Sequence, residues 1–370
     1  MTAALPRLYS ADPKAGYLAA KADIDAAIAR VLDSGTYIHG RELAAFESEF
    51  AAWLGASGCA GVANGTDAIE LALHALDVGT GDRVATVANT VSATVAAIVA
   101  TGAEPVFVEI DPATMLMDAN ALTQVLRDDT ERRIKAIVPV HLYGQACDMP
   151  AIMAAARAHG AKVLEDCAQA HGASVAGRTA GTWGDLAAFS FYPTKNLGAL
   201  GDGGAVVGGD AAALERVRQL RQYGWRTRYV SDEHGRNSRL DEMQAAILRA
   251  RLPRLAAENA LRATLADRYL ELLASAPLQL PVTAAGRTHV WHQFVVRTPR
   301  RDALRAALEA QQIFCGVLYP VPIHRQPAYA HDVALPLTEQ ACAEVLSLPL
   351  HPGLTLAEVE RVAAAVRAAL

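Results

Sequence analysis

The chain has 370 residues, of which 52% are hydrophobic and 20% are charged, and its formal net charge at neutral pH is −5. This length is enough for a large core and about two domains. The acidic balance argues against a nucleic-acid partner, because phosphate binding needs clustered lysine and arginine. We also predict no membrane partner and a cytoplasmic location, because no run approaches the roughly 20 apolar residues that span a bilayer and the N-terminus lacks an apolar signal-peptide core.

The predicted elements alternate along the first half of the chain. The stretch "ELAAFESEFAAWLGA" has the periodicity of an amphipathic helix, "CAGVAN" is typical of a short strand, and "GTDAIELALHAL" predicts the next helix. Strand-like apolar runs follow at "RVATVA", "EPVFVEI", "IKAIVPVHL", "AKVLED" and "LAAFSFY", with helical stretches such as "MPAIMAAARAHG" between them. This alternation predicts an α/β fold with a mostly parallel sheet and helices on both faces.

The pattern changes in the last third of the chain. From about residue 237 to residue 274 it predicts long helix, broken near Pro253, and shorter alternating segments follow. We therefore predict a large α/β domain over residues 1–250 and a smaller α+β C-terminal domain over residues 251–370.

Cysteines and histidines give no sign of a metal site. The five cysteines are odd in number and show no C-x-x-C spacing, so they predict neither a disulfide framework nor a zinc site. His289 and His292 in "HVWH" lack further predicted ligands, and such a pair is more often structural than metal-binding.

Polar residues follow three of the predicted strands. Asp166 ends "AKVLED", Ser190 and Lys195 lie at the end of "LAAFSFYPTK", and Gly65 and Thr66 open a helix after "CAGVAN". Ligands of open α/β sheets bind at the carboxyl ends of the strands. Backbone N–H groups at the start of a helix, beside a small residue, form a site for a phosphate.

Lys195 stands between an apolar run and the glycine-rich stretch "NLGALGDGG". That stretch does not match G-x-G-x-x-G, and there is no Walker motif, so dinucleotide binding and nucleotide hydrolysis are disfavoured. Pyridoxal phosphate (PLP) uses a phosphate site, a carboxylate at its ring nitrogen and a lysine that forms a Schiff base with its aldehyde. The residues alone leave two interpretations, a PLP site or a surface lysine that follows a strand.

Five stretches in one order resemble the DegT/DnrJ/EryC1/StrS family of nucleotide-sugar aminotransferases. The resemblance runs from "GTYIHGRELAAFESEF" to the C-terminus, and it implies a PLP enzyme of fold type I that forms a homodimer with active sites shared between the subunits. It further implies L-glutamate as the amino donor and a nucleotide-linked keto sugar as the acceptor. The matching stretches are "NGTDAIELAL", "PVHLYGQACDM", "VLEDCAQAHGA", "AFSFYPTKNLGALGDGGAVV" and "NSRLDEMQAAIL".

The resemblance also implies roles for single residues around the PLP ring. Lys195 forms the Schiff base and then moves the proton between the sugar and the cofactor, and Asp166 pairs with the ring nitrogen. Gln169 bonds the ring hydroxyl. Many relatives place an aromatic residue on the ring where this chain has Val91, which covers the ring by dispersion without aromatic stacking.

At the phosphate end, the resemblance implies that Ser190 acts together with Gly65 and Thr66. Asn237 in "NSR" matches an asparagine that reaches the phosphate from the neighbouring subunit. The implied site therefore needs two copies of the chain.

Three further residues are candidates for substrate contacts. Tyr192 lies beside the lysine and His324 lies in "YPVPIHRQPAYA", with core packing and loop hydrogen bonding as the respective alternatives. Arg228, with its neighbours Arg226 and Arg239, is placed to meet a pyrophosphate or a glutamate carboxylate, and the alternative is an ordinary surface arginine.

The acceptor sugar is predicted from two stretches. "FYPTKNLGALGDGGA" resembles family members that aminate C3 of a 3-keto-6-deoxyhexose, and "RYVSDEHGRNSR" carries Asp232 and Glu233, which would repel a uronic acid. We predict a dTDP-linked 3-keto-6-deoxyhexose. The alternatives are a 4-keto sugar, a UDP-linked 3-keto-hexuronate, a non-catalytic PLP-binding regulator and a scaffold without cofactor.

Overall fold

The computed structural model describes residues 6–370. The first five residues, which belong to the predicted domain over 1–250 and to the N-terminus predicted to lack a signal peptide, lie outside the described part. Within residues 6–370 the helices are α1 (Pro13–Ala19), α2 (Lys21–Ser34), α3 (Arg41–Leu54), α4 (Gly65–Ala75), α5 (Ser92–Ala100), α6 (Ala119–Asp128), α7 (Met149–His159), α8 (Ala211–Leu220), α9 (Glu242–Arg251), α10 (Leu255–Leu273), α11 (Arg301–Glu309), α12 (Pro336–Glu344) and α13 (Leu356–Ala369).

The strands form one large sheet and several two-stranded pairs. The strands are β1 (Leu8–Tyr9), β2 (Gly58–Val62), β3 (Arg83–Val87), β4 (Glu104–Val108), β5 (Ile134–Val138), β6 (Lys162–Asp166), β7 (Ser174–Val175), β8 (Arg178–Thr179), β9 (Leu186–Ser190), β10 (Gly204–Gly208), β11 (Trp225–Thr227), β12 (Val230–Ser231), β13 (Phe294–Arg297), β14 (Ile313–Phe314) and β15 (Val345–Leu348). The large sheet has seven strands in the order β2-β10-β9-β6-β5-β3-β4.

The large sheet confirms the predicted α/β architecture. Strands β9, β6, β5, β3 and β4 run parallel to one another, whereas β10 is antiparallel to both β2 and β9. Strand β10 comes from the end of the glycine-rich stretch. A Cβ on Gly204 would lie 2.3 Å from the Asn64 carbonyl oxygen, so only glycine lets the turn after β2 lie against this strand.

Helices cover both faces of the large sheet. One face packs against α3, α6 and α7, and the other packs against α4, α5 and α8. Because both faces are covered, the strands are almost entirely apolar instead of alternating in polarity. The predicted break in the long helix is confirmed, since a 3₁₀ turn over Leu252–Arg254 separates α9 from α10.

A third apolar cluster lies around α10, α11, α13 and the pair β13–β15. Leu8 belongs to this cluster, and its strand β1 runs parallel to β14. The N-terminal strand therefore packs with C-terminal elements. The division of the chain near residue 250 stays a prediction.

Among the described helices, none combines the length and the apolar composition that crossing a bilayer requires.

Candidate active site

A cavity of about 370 Å³ opens at the carboxyl edge of the large sheet. Strands β6 and β9 are neighbours and end there at Asp166 and Ser190. Helix α4 begins close by, after β2. Eight of the predicted site residues line the cavity: Gly65, Thr66, Val91, Asp166, Gln169, Ser190, Tyr192 and Lys195.

Lys195 follows β9 by a tight turn, in which its backbone N–H donates to the Tyr192 carbonyl oxygen at 2.8 Å. Burial lowers the pKa of the Lys195 ammonium to about 8, although the Asp166 carboxylate acts in the opposite direction. An appreciable fraction of the amine is therefore neutral near neutral pH. A neutral amine is the form that reacts with an aldehyde.

Asp166 is buried at the end of β6, and both of its carboxylate oxygens are oriented by hydrogen bonds. The Ala168 N–H donates to Oδ1 at 3.1 Å, and the Thr94 hydroxyl donates to Oδ2 at 2.9 Å. Burial raises the pKa of the Asp166 carboxyl, and these two hydrogen bonds oppose the rise. A cation placed against this carboxylate would favour its charged form.

The phosphate end of the cavity is the N-terminus of α4. The Asn64 side chain caps the helix by accepting from the Asp67 N–H at 2.8 Å, which leaves the N–H groups of Gly65 and Thr66 at the open first turn. A Cβ on Gly65 would lie only 2.7 Å from the Ser190 Cβ. The missing side chain thus keeps the space between the helix N-terminus and Ser190 open for an anion.

Gln169 is held from two sides. Its Oε1 accepts from the Tyr143 N–H at 2.7 Å, and its Nε2 donates to the Tyr319 hydroxyl at 3.2 Å. Burial raises the pKa of Tyr319 to about 12, so the phenol stays protonated. Residue 319 thereby links the C-terminal part of the chain to the cavity.

Val91 and Tyr192 present partly exposed side chains in the cavity wall. Val91 is 37% exposed and is the N-cap residue of α5, and Tyr192 is 53% exposed. Tyr192 is thus not a core residue in this structure. Its contact with a sugar stays a prediction.

Thr94, His292 and Tyr319 are among the residues of the cavity that the sequence pattern did not identify. Thr94 is a polar residue on the apolar helix α5, one turn after Val91, and that position was a detectable signal. His292, interpreted as structural, lines the cavity, and its Nδ1 lies 3.1 Å from the Asn196 Oδ1. Burial lowers the pKa of His292 well below its usual range, so the ring is neutral. Tyr319 had no local signal, since only the fold brings it to Gln169.

Three other predicted residues are not among those that line the cavity in the described part of the chain. Asn237 is exposed, and its backbone forms an isolated antiparallel bridge with that of Gln222. Arg228 is exposed, with its guanidinium 4.8 Å from the Tyr229 ring. His324 is buried, with its Nε2 3.0 Å from the Glu339 carboxylate. Their roles stay predictions.

The chemistry of the site fits PLP. The opening at Gly65 and Ser190 suits a phosphate, the buried Asp166 carboxylate suits a ring nitrogen that carries a proton, and the Lys195 amine suits the aldehyde. The α/β architecture, with this arrangement at the carboxyl edge of its sheet, is that of fold type I of the PLP-dependent enzymes.

Comparison with known proteins gives the family. The model of the DegT/DnrJ/EryC1/StrS aminotransferase family matches residues 19–367. The chain belongs to this aminotransferase family, as its motifs predicted.

Individual relatives match over almost the full length. The chain is 48% identical to a dTDP-3-amino-3,4,6-trideoxy-alpha-D-glucose transaminase of Streptomyces venezuelae, over 98% of this chain and 96% of the relative. It is 44% identical to a UDP-N-acetyl-3-dehydro-alpha-D-glucosamine 3-aminotransferase of Acidithiobacillus ferrooxidans, over 97% of each protein. The crystal structure of S. venezuelae DesV in complex with a ketimine intermediate superposes with a TM-score of 0.95 at 48% identity and covers 98% of each chain.

Proposed function

We propose that this protein is a PLP-dependent aminotransferase that moves the amino group of L-glutamate to C3 of a dTDP-linked 3-keto-6-deoxyhexose. The observation that carries the proposal is the meeting of Lys195, Asp166 and the open N-terminus of α4 at one cavity. In the reaction, a water oxygen replaces the amino group of glutamate to give 2-oxoglutarate. The amine then replaces the keto oxygen of the sugar, which is released as water, so no water is consumed overall. A cytoplasmic location remains part of the proposal.

PLP, when bound, supplies an aldehyde that takes up and releases amino groups and a ring that withdraws electrons from the neighbouring carbon. The residues of this chain bind and orient it. The N–H groups of Gly65 and Thr66 and the Ser190 hydroxyl hold the phosphate, and the Asp166 carboxylate holds the proton on the ring nitrogen. Gln169, fixed from both sides, orients the ring hydroxyl.

Lys195 does two things in this proposal. Its Nζ would hold the cofactor covalently between turnovers. Once released, the amine would move a proton between the substrate carbon and the cofactor. The lowered pKa of about 8 suits both tasks, because the amine can gain and lose a proton near neutral pH. The neutral His292 adds no second positive charge beside it.

The preference for a sugar without a carboxylate at C6 rests on the ion pairs of residues 226–236, which lie outside the lining of the cavity in their own chain and would meet the sugar from the second subunit. Arg226 pairs with Asp232 at 3.1 Å, and Arg236 pairs with Glu70 and lies 3.5 Å from the Asp67 carboxylate. Acidic groups of the chain thus already neutralise two of the cations of this segment. A uronate would bring an unneutralised carboxylate to it, at a desolvation cost.

The test is a competition between the dTDP-linked 3-keto-6-deoxyhexose and a UDP-linked 3-keto-hexuronate at equal concentrations, with glutamate and with PLP-loaded enzyme, read by mass spectrometry. We expect a larger kcat/KM for the deoxyhexose and an amine at C3. A larger kcat/KM for the uronate, or amination at C4 only, contradicts the proposed acceptor. A failure of glutamate to yield 2-oxoglutarate would favour a non-catalytic PLP-binding regulator instead.

We further propose a homodimer in which each site takes Asn237 from the second subunit. The support is that Asn237 is exposed and lies outside the lining of the cavity of its own chain. Mixing inactive Lys195→Ala with inactive Asn237→Ala should restore partial activity, because one of the two hybrid sites has both residues intact. No recovery, with subunit exchange demonstrated by mass spectrometry, contradicts a shared site.

A further inference from the structure

A second, smaller cavity of about 120 Å³ adjoins the segment that carries Lys195. Helix α1, the start of α10, residues 193–195 and residues 351–353 form its walls. Of the residues that line it, Thr194 and Lys195 also line the candidate active site, and the others differ. Its volume exceeds the roughly 30 Å³ that one water molecule occupies in the liquid.

Positive charge is in excess around this second cavity. Arg251 and Arg262 are each only 6% exposed, and Arg254 also lines the cavity. Arg251 donates to the Gly198 carbonyl oxygen at 2.6 Å, and Arg262 donates to the Leu350 carbonyl oxygen at 3.0 Å. These neutral acceptors satisfy single N–H groups but leave the charges uncompensated.

The carboxylates that line the cavity neutralise these guanidinium groups only in part. The Glu258 carboxylate lies 4.0 Å from the Arg251 Nη2 and 3.5 Å from the Arg254 Nε, both longer than a good charge-assisted hydrogen bond. Asp12 uses its Oδ1 to cap α1 through the Ala15 N–H. Three guanidinium groups thus face two carboxylates, neither of which contacts them closely.

Polar atoms in the same wall also lack partners. His351 is 7% exposed, and its Nδ1 has no hydrogen-bond partner among the described residues. The Arg254 Nε atom is enclosed and has none either, although the Arg254 side chain as a whole is 40% exposed. Burial lowers the pKa of Arg262 to about 10 and also lowers that of His351. Buried cations and unsatisfied donors are costly, and a bound anion would relieve both costs.

We propose that this second cavity binds a small oxyanion, a carboxylate or a phosphate group, between Arg251, Arg254 and His351. The two arginines supply the charge, and His351 in its Nδ1–H tautomer supplies a further donor. The second cavity shares Thr194 and Lys195 with the active site but not Gly65, Thr66 or Ser190, so a PLP phosphate held at Gly65 does not occupy it.

The test titrates PLP-loaded enzyme with inorganic phosphate, and separately with acetate, in a chloride-free buffer by calorimetry. We expect one saturable site per chain with a dissociation constant below about 10 mM for at least one of the two anions. Binding of phosphate alone identifies a phosphate site, and binding of acetate alone identifies a carboxylate site. Crystals soaked in selenate should show an anomalous peak between Arg251, Arg254 and His351.

Two variants with opposite expected effects sharpen the test. Arg254→Gln should weaken binding at least about fivefold, and Glu258→Gln should tighten it at least about threefold, because it removes the competing negative charge. Arg305→Gln is a matched control, since Arg305 forms a surface pair with Glu309. Unchanged affinity in both cavity variants, no saturable binding, or an anomalous peak elsewhere would overturn the proposal and leave the aminotransferase proposal untouched.

Discussion

Two neighbouring carboxylates on β6, Glu165 and Asp166, point to opposite sides of the large sheet. Glu165 is fully buried and accepts from the backbone N–H groups of Gly181, Trp183 and Gly184, at 2.7–2.9 Å, while its Oε2 lies 3.0 Å from the His141 Nε2. Asp166 accepts two hydrogen bonds and borders the cavity.

The two carboxylates have different roles: Glu165 stabilises the fold, and Asp166 takes part in the chemistry of the site. The Glu165 carboxylate accepts hydrogen bonds from the backbone of the loop before β9, so we infer that Glu165 stabilises the fold. Asp166 can accept further hydrogen bonds beside an open cavity, and burial raises its pKa, so a cation bound there would stabilise the charged carboxylate. Burial alone does not distinguish the two residues, whereas the hydrogen-bond count does.

The largest expected effect comes from Asp166→Asn. The amide preserves the shape of the site but removes the charge that holds the proton on the cofactor ring. We expect the rate of the glutamate half-reaction to fall at least ~10²-fold, with little change in thermal stability. Stopped-flow spectroscopy of the PLP-loaded enzyme measures the rate, and a near-wild-type rate would show that another group serves the ring nitrogen.

The matching change on the other side of β6 is Glu165→Gln, which should lower the stability of the fold and leave the reaction rate largely unchanged. Its NH₂ group would face backbone donors, so we expect a loss of about 2–4 kcal/mol in the free energy of unfolding, measured by urea titration. Folded enzyme should retain most of its half-reaction rate. Glu104→Gln, at a half-exposed carboxylate paired with Arg83, is the control and should cost less than about 1 kcal/mol. Loss of activity at unchanged stability would contradict the division of roles.

The smallest expected effect is that of Thr94→Val. Loss of the hydroxyl that donates to Asp166 should raise the pKa of that carboxyl, so the half-reaction should slow by roughly 3- to 10-fold. Because the Thr94 hydroxyl lowers the pKa of Asp166, its removal should move the acid limb of the pH–rate profile to higher pH. Thr94→Ser keeps a donor and should behave like the wild type. An unshifted acid limb in Thr94→Val would show that this hydrogen bond does not tune Asp166.

The sequence was sufficient for features that depend on local pattern. Apolar runs and the residues that end them placed Asp166 and Ser190 at strand ends, and Gly65 with Thr66 after "CAGVAN" marked the start of α4. Tyr319 and His292 were missed because their approach to the cavity depends on packing between elements more than 90 residues from Lys195 in the chain. The antiparallel direction of β10 was also missed, because a glycine-rich stretch predicts a loop unless its close backbone contacts are known.

Thr94 represents an intermediate case, since its polarity on an apolar helix was visible but its partner was not. The sequence selected Asp166 over Glu165 because Asp166 ends the strand, and the family resemblance then implied its role at the ring nitrogen. Adjacent carboxylates in one strand look alike until their hydrogen-bond partners are known.

The most direct test of the central claim is to find which lysine holds the cofactor. PLP-loaded enzyme is reduced with borohydride, digested and mapped by mass spectrometry. We predict a single pyridoxyl-modified peptide, with the modification on Lys195, and none in Lys195→Ala. Modification of Lys162 or Lys135, or an unmodified Lys195 in enzyme that turns over, would contradict the account.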